Sequence, residues 1–64
     1  MEMIDRILTI LEERKITDQE FYTAIQVSRS TFYRWKSKKV SVSIQNAEKI
    51  ADYLNVSVDF LLGK

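Results

Sequence analysis

The side chains best suited to chemistry lie close together, between positions 28 and 39 of the chain. This segment carries five positive charges and no negative charge, and it includes three aromatic rings. The charged residues are Arg29, Arg34, Lys36, Lys38 and Lys39, and the aromatic residues are Phe32, Tyr33 and Trp35. Guanidinium and ammonium groups bind phosphates and base edges, whereas rings can stack on bases or pack into a core. The segment therefore predicts either a helix that binds nucleic acid or a buried aromatic helix with a solvated basic face.

The basic character of this segment is hidden in the whole chain, whose formal net charge is only +1. Residues 1–27 hold six acids against three bases, and residues 40–64 hold three acids against two bases. Such local asymmetry favours an anionic partner. Lysine-rich loops are also common on ordinary solvated surfaces, so charge alone leaves both interpretations open.

The composition argues against catalysis and metal binding. The 64 residues include neither cysteine nor histidine, which removes thiolate sites, the usual general base and the commonest metal ligand. Glu12 with Glu13, and Asp18 with Glu20, are too close along a helix to face one another across a site. No glycine-rich phosphate loop or metal-ligand spacing occurs. We therefore expect a protein that is not an enzyme and that uses no cofactor or metal.

The chain also lacks the marks of a membrane or secreted protein. No apolar run approaches the roughly 18 residues that a membrane span requires. The N-terminal segment carries Glu2 and Asp5 before its apolar part and has no small-residue cleavage site, which argues against a signal peptide. We expect a cytoplasmic protein without a membrane partner.

Helix starts are indicated by a pattern that occurs four times. An apolar residue precedes Ser or Thr, and another apolar residue follows that hydroxyl residue by four positions, as in an N-cap with a hydrophobic staple. The cap residues are Thr17, Ser28, Ser43 and Ser57. Glu20 completes a capping box with Thr17.

These caps, together with the apolar spacing between them, predict an all-α fold. The predicted helices span residues 2–14, 18–25, 29–37, 44–54 and 58–62. The fourth helix has an apolar face made of Ile44, Ala47, Ile50, Ala51 and Leu54. Strand-like alternation occurs only at residues 39–43, where one short strand would have no partner. We expect a single compact five-helix domain over residues 1–64.

The second and third predicted helices are separated by about three residues, which forces a sharp reversal. This spacing is typical of a helix-turn-helix, here over about residues 18–37, whose second helix can enter a major groove. Phe32 and Trp35 lie three positions apart and predict the buried face of that helix. The residues expected to point outward are Arg29, Ser30, Tyr33, Arg34 and Ser37.

The run ITDQEFYTAIQVSRSTFYRWKSKKVSVSIQNAEKIADYLNVSVDFLLG resembles the Cro/CI-type helix-turn-helix family, the lambda-repressor-like DNA-binding domain. The resemblance extends without a gap from Ile16 to Gly63. Its most specific parts are VSRSTFYRW, across the turn and recognition helix, and KIADYLNVSVDFLLG at the end. It implies a double-stranded DNA operator as partner, in a bacterial or phage-infected host cell.

The resemblance also implies roles for individual residues. Arg29, Ser30 and Arg34 match positions that read base edges, and Ser28 and Ser37 match positions near backbone phosphates. Arg29 and Arg34 suit guanine because Arg pairs with it bidentately. Tyr33 is expected at a base, with packing beside a phosphate or over Val40 as alternatives. Lys36, Lys38 and Lys39 are expected to hold phosphates and to supply most of the non-specific affinity.

Two departures from the family pattern, Lys36 where an acid is common and Lys38 where Gly is common, add positive charge and favour nucleic acid. Three others fall in the second helix and the turn after it. Asp18 stands where a phosphate-contacting Gln is common, and it is expected instead to complement the dipole of the second helix. Tyr22 stands where a small residue is common, and partial burial is expected for it. Gln26 stands where Gly is common, and a left-handed conformation there would cost about 1 kcal/mol.

The sequence thus predicts a sequence-specific DNA-binding regulator, a Cro-like phage or bacterial repressor that acts by occupying an operator. Dimerisation through the C-terminal helix region, around Phe60 and Leu62, is expected because one domain covers only a half-site. The alternative is a small helix-turn-helix protein that binds and modulates another repressor. Asp18 favours this alternative because it weakens a phosphate contact, and Tyr22 favours it by offering an aromatic ring to a partner protein. Tyr is a common interface anchor.

Overall fold

A computed structural model of the protein describes residues 2–63, and these residues form five helices without strands. The helices are α1 (Met3–Glu13), α2 (Asp18–Ala24), α3 (Arg29–Lys36), α4 (Ile44–Leu54) and α5 (Val58–Leu62). The predicted all-α fold is therefore confirmed. None of these helices has the length and apolar character needed to cross a membrane.

The four predicted caps all begin helices. Each hydroxyl oxygen accepts a hydrogen bond from the backbone N–H three residues later, at distances of 3.0–3.2 Å. The capping box of Thr17 is present as well, because the Thr17 backbone N–H donates to Glu20 Oε1 at 3.4 Å. These local bonds satisfy backbone donors that a helix start leaves without a partner.

Four of the helices end in the same way, with a residue in the left-handed region followed by a paired backbone turn. The non-glycine residues with positive φ are Lys15, Gln26, Lys38 and Asn55, and Gly63 takes the same region at the end of α5. At the end of α2, for example, the Gln26 N–H donates to the Thr23 carbonyl at 3.1 Å and the Val27 N–H donates to the Tyr22 carbonyl at 3.0 Å. This pair of bonds is a Schellman motif. It reverses the chain within a few residues and brings α3 against α2.

The core lies where the buried faces of all five helices meet. Its largest fully buried side chains are Phe21, Phe32, Ile7, Ile50, Leu54 and Leu61. The Phe21 and Phe32 rings lie 5.4 Å apart, and Trp35 meets Phe32 edge-on at 6.4 Å. Phe32 and Trp35 therefore fasten α3 to the core, as predicted.

One residue assigned to an apolar helix face is placed differently by the structure. Ile44 was expected on the buried face of α4, but 57% of it is exposed. It is the first residue of that helix, and burial on this face begins one turn later, at Ala47. The remainder of that face is buried, namely Ala47, Ile50, Ala51 and Leu54.

Candidate nucleic-acid interface

The outer face of α3 carries the polar side chains that the sequence assigns to DNA. With Phe32 and Trp35 buried, the helix turns its remaining residues outward. The exposed ones include all five that were predicted to point away from the core: Arg29, Ser30, Tyr33, Arg34 and Ser37. Their exposure follows from the position of the two buried rings, because a helix presents residues three or four apart on one side.

The two serines at the ends of α3 are used by the helix itself. Ser28 Oγ accepts a hydrogen bond from the Thr31 N–H at 3.1 Å and donates one to Thr31 Oγ1 at 2.9 Å. Ser37 Oγ donates to the Arg34 carbonyl at 3.1 Å. Both hydroxyls are exposed at the surface of α3, so their primary contacts are caps of the helix that presents the arginines.

Tyr33 lies between two cationic side chains of its own helix. The Arg29 guanidinium carbon is 5.3 Å from the centre of the Tyr33 ring, and Lys36 Nζ is 5.0 Å from it. The ring is 41% exposed and lies 5.9 Å from the buried Phe32 ring. Both cations are within the range of a cation–π contact.

Lys36 is held by α2. Its ammonium donates a hydrogen bond to Asp18 Oδ2 at 3.0 Å, and it lies 5.5 Å from the centre of the Phe32 ring. Asp18 therefore has a second role beyond complementing the dipole of α2, because it neutralises a lysine at the end of the recognition helix.

Lys38 is held by the start of α1. Its ammonium lies 3.2 Å from Glu2 Oε2 and 3.2 Å from Asp5 Oδ2. A hydrogen bond from the Glu2 backbone N–H, followed by the one from Lys38, lowers the pKa of the Asp5 carboxyl. The same contact with Asp5, followed by the one with Glu2, raises the pKa of Lys38.

The predicted basic residues thus fall into two groups. Lys36 and Lys38 are paired with acids, whereas Arg29, Arg34 and Lys39 form no ion pair with any residue between positions 2 and 63. The unpaired group is exposed. Its positive charge is therefore available to an anionic ligand without breaking an ion pair among these residues. Within the same range of residues, no group of three side chains is arranged to hold a metal ion.

The comparisons with known proteins agree with this geometry. The family model of the Cro/C1-type HTH DNA-binding domain matches residues 6–63. The chain belongs to this family. The match supports a DNA-binding regulator and covers all of α2 to α5. Comparisons with curated proteins and with solved structures find no match.

Two of the three departures from the Cro/C1-type pattern in α2 and the turn after it are accommodated by the fold. Gln26 adopts a φ of 61° in the turn between α2 and α3, the conformation that the family usually gives to Gly. Tyr22 is partly buried, as predicted, and packs on Phe32 with the ring centres 6.0 Å apart. The third departure, Asp18, is the partner of Lys36.

Sequence reasoning did not find the acids that pair with the lysines. Asp18 is 18 residues from Lys36, and Asp5 is 33 residues from Lys38. Neither pair has a local spacing signature. Only the departure of Asp18 from the family pattern marked one of these positions as unusual.

Proposed function

We propose that this chain is a sequence-specific regulator of transcription that binds double-stranded DNA and acts as a Cro-like phage or bacterial repressor. Its mechanism is steric, because a domain that occupies an operator excludes polymerase or a competing repressor. The observation that supports this most strongly is the face of α3, where arginines that form no ion pair within residues 2–63 stand beside small polar side chains. Such a face matches the donors needed at base edges in a major groove.

Base reading is assigned to the centre of this face. Arg29 and Arg34 each have the planar donor pair that fits guanine O6 and N7, and Ser30 adds a short-range contact. Tyr33 belongs to the same surface. Arg29 and Arg34 are both exposed and unpaired within residues 2–63, so neither must abandon an internal carboxylate to reach DNA.

Phosphate binding is assigned to the flanks of the helix. The proposed contacts are Ser28 at its start and Ser37, Lys36, Lys38 and Lys39 at or beyond its end. Lys39 is exposed and unpaired within residues 2–63, so it offers the strongest of these contacts. Lys36 and Lys38 must first exchange a carboxylate for a phosphate, which reduces what each adds to affinity.

A homodimer through α5 completes the proposal. Phe60 is 48% exposed and Leu62 is 39% exposed, and Phe60 borders a shallow groove whose other walls include Ile10 and Thr9 of α1. Exposed apolar side chains at the end of a small domain are suited to association. Two copies would present two recognition helices to the halves of one operator.

The alternative, a protein that acts by docking on another repressor, has less support. It relied on Asp18 and Tyr22 as surface features. Tyr22 packs on Phe32, and Asp18 is occupied by Lys36. Neither side chain is presented as a free anchor.

Selection of bound duplexes from a random pool tests the proposal directly. We expect enrichment of a sequence with related halves, and binding that weakens steeply as salt rises, because phosphate contacts release counterions. A chain that enriches no sequence, but binds a repressor protein, would instead support the alternative.

A further inference from the structure

The ring of Tyr33 connects the base-reading surface to the core. On one side it meets the Arg29 guanidinium at 5.3 Å and on the other the Lys36 ammonium at 5.0 Å. Arg29 precedes Tyr33 by four residues and Lys36 follows it by three, which are the spacings at which helical side chains touch. The two cations therefore reach the ring from opposite ends of the helix.

The core side of this arrangement is fixed. Lys36 is held by the Asp18 carboxylate at 3.0 Å and lies over both the Phe32 and the Tyr33 rings. Phe32 is fully buried and contacts Tyr33 directly. Tyr33 thus has a rigid neighbour and a tethered cation on its inner side, although much of the ring is open to solvent.

Arg29 stands at the other end, where it is exposed and forms no ion pair with any residue between positions 2 and 63. A free arginine side chain loses conformational entropy when a ligand orders it. A guanidinium that already rests on an aromatic ring has given up part of that freedom before DNA arrives, so less is lost on binding. The outward edge of a stacked guanidinium keeps its donors available for a base.

We propose that Tyr33 is a positioning residue that holds Arg29 in the orientation needed to read a guanine, with Lys36 and Asp18 fixing the ring. This inference rests on the proposed function, because it assigns the mechanism by which one of the proposed base contacts is oriented. In it the tyrosine acts through Arg29, and its hydroxyl is not required for the choice of base.

The test begins with a duplex selected by the wild-type protein from a random pool. The Arg29→Ala variant identifies the base pair at which preference is lost, and single substitutions at that pair then give the preference ratio. Tyr33→Leu should lower this ratio about three- to fivefold, the size expected from a lost cation–π contact.

Two variants separate positioning from other roles. Tyr33→Phe keeps the ring and should retain the wild-type ratio. Tyr53→Leu is a matched control, because Tyr53 is 39% exposed and lies 6.1 Å from the buried Phe21 ring, much as Tyr33 lies beside Phe32. It should retain the ratio too. In the Arg29→Ala background, Tyr33→Leu should have no further effect at the same base pair.

The proposal is overturned if Tyr33→Leu preserves the ratio, or if Tyr33→Phe lowers it as far as Tyr33→Leu does, since the hydroxyl would then contact DNA itself. Proton NMR of the free wild-type protein gives a second measurement that does not depend on a variant folding. The Arg29 side-chain protons should be shifted upfield by the Tyr33 ring, and unshifted protons would also overturn the proposal. If no duplex is enriched although the shift is present, the proposed function fails while the contact between the two side chains stands.

Discussion

Lys36 Nζ and Asp18 Oδ2 lie 3.0 Å apart and join the end of α3 to the start of α2. Asp18 occupies a position where the family resemblance implies a phosphate-contacting glutamine, and it turns toward a lysine of its own chain. The exposed fractions of the Lys36 and Asp18 side chains are 33% and 41%, so the pair is partly screened by solvent. In the free protein, Lys36 is thus paired with a carboxylate of its own chain.

Asp18→Asn should strengthen binding to duplex DNA of any sequence. The substitution removes a negative charge near the phosphates and releases Lys36, so we expect about two- to fivefold tighter binding at low salt and a slope of log affinity against log salt that is steeper by up to about one unit. Stability should change by less than about 1 kcal/mol, because solvent partly screens the pair. Fluorescence anisotropy with a random-sequence duplex across a salt series measures both quantities.

Asp59→Asn is the control for Asp18→Asn. It makes the same change of charge on α5, so an equal gain in affinity from both variants would mean that net charge alone was responsible. A loss of affinity in Asp18→Asn would contradict the expectation and would indicate that the acid supports DNA binding by fixing α3.

Arg34→Ala and Lys39→Ala should have different effects. Losing a base-reading arginine should cost about 1–3 kcal/mol on the selected duplex and relax choice at one base pair. Lys39→Ala should weaken all duplexes alike and flatten the salt slope by about one unit. Lys38→Ala should flatten it less, because Lys38 must leave Glu2 and Asp5 before it meets a phosphate. Identical effects of Arg34→Ala and Lys39→Ala on selected and random duplexes would show that these roles are wrongly assigned.

The contact between Asp5 and Lys38 should make stability sensitive to acid. The pKa of Asp5 is lower in the folded protein than its ordinary value of 3.8. Its contribution is therefore complete above that value and is lost as the pH falls through the lower, folded pKa. Thermal unfolding at pH 7 and at successively lower pH should show a smaller decline for Asp5→Asn than for wild type. Equal declines in the two proteins would mean that the contact does not contribute in solution.

The helices predicted from sequence begin and end within one residue of the observed ones, but the local signals are stronger at their starts than at their ends. Cap residues such as Ser28 and Ser43 accept a hydrogen bond from a backbone N–H three residues away. The residue that predicts the helix start and the bond that forms there therefore lie within one helical turn. Most ends have a weaker signal, since Lys15 and Gln26 take left-handed conformations that Gly usually marks. Asn55 and Gly63, which adopt that region readily, do indicate the ends of α4 and α5.

For the candidate site, the sequence predicted the features that depend on a single helix but not the contacts between helices. The exposed face of α3 follows from the spacing of Phe32 and Trp35, which is a property of one helix. The pairing of Lys36 with Asp18 depends on the angle at which α2 meets α3, and that angle is set by packing throughout the core. Contacts between elements distant in sequence therefore appear only once the helices are assembled.

Gln26→Gly should stabilise the protein. Gln26 has a φ of 61° in the turn between α2 and α3, where a side chain is strained and glycine is not. Part of the relief is offset because glycine makes the unfolded chain more flexible, so we expect a gain of about 0.5–1 kcal/mol and a thermal midpoint a few degrees higher. Gln45→Gly, which introduces glycine within α4, should lower the midpoint instead. If both variants lower it, the turn is not strained at Gln26.

Phe60→Ser should weaken the proposed dimer without unfolding the domain. Phe60 is 48% exposed, so the monomer loses little core, whereas a symmetric interface loses the ring twice. Burial of half a Phe side chain contributes about 1 kcal/mol, so the dimer should dissociate at least about tenfold more readily. Sedimentation equilibrium over a range of concentrations measures this change, and Ile44→Ser, at an exposed apolar residue of α4, is the matched control. A wild-type protein that sediments as a monomer at high concentration, with and without its selected duplex, would show that one domain binds DNA alone.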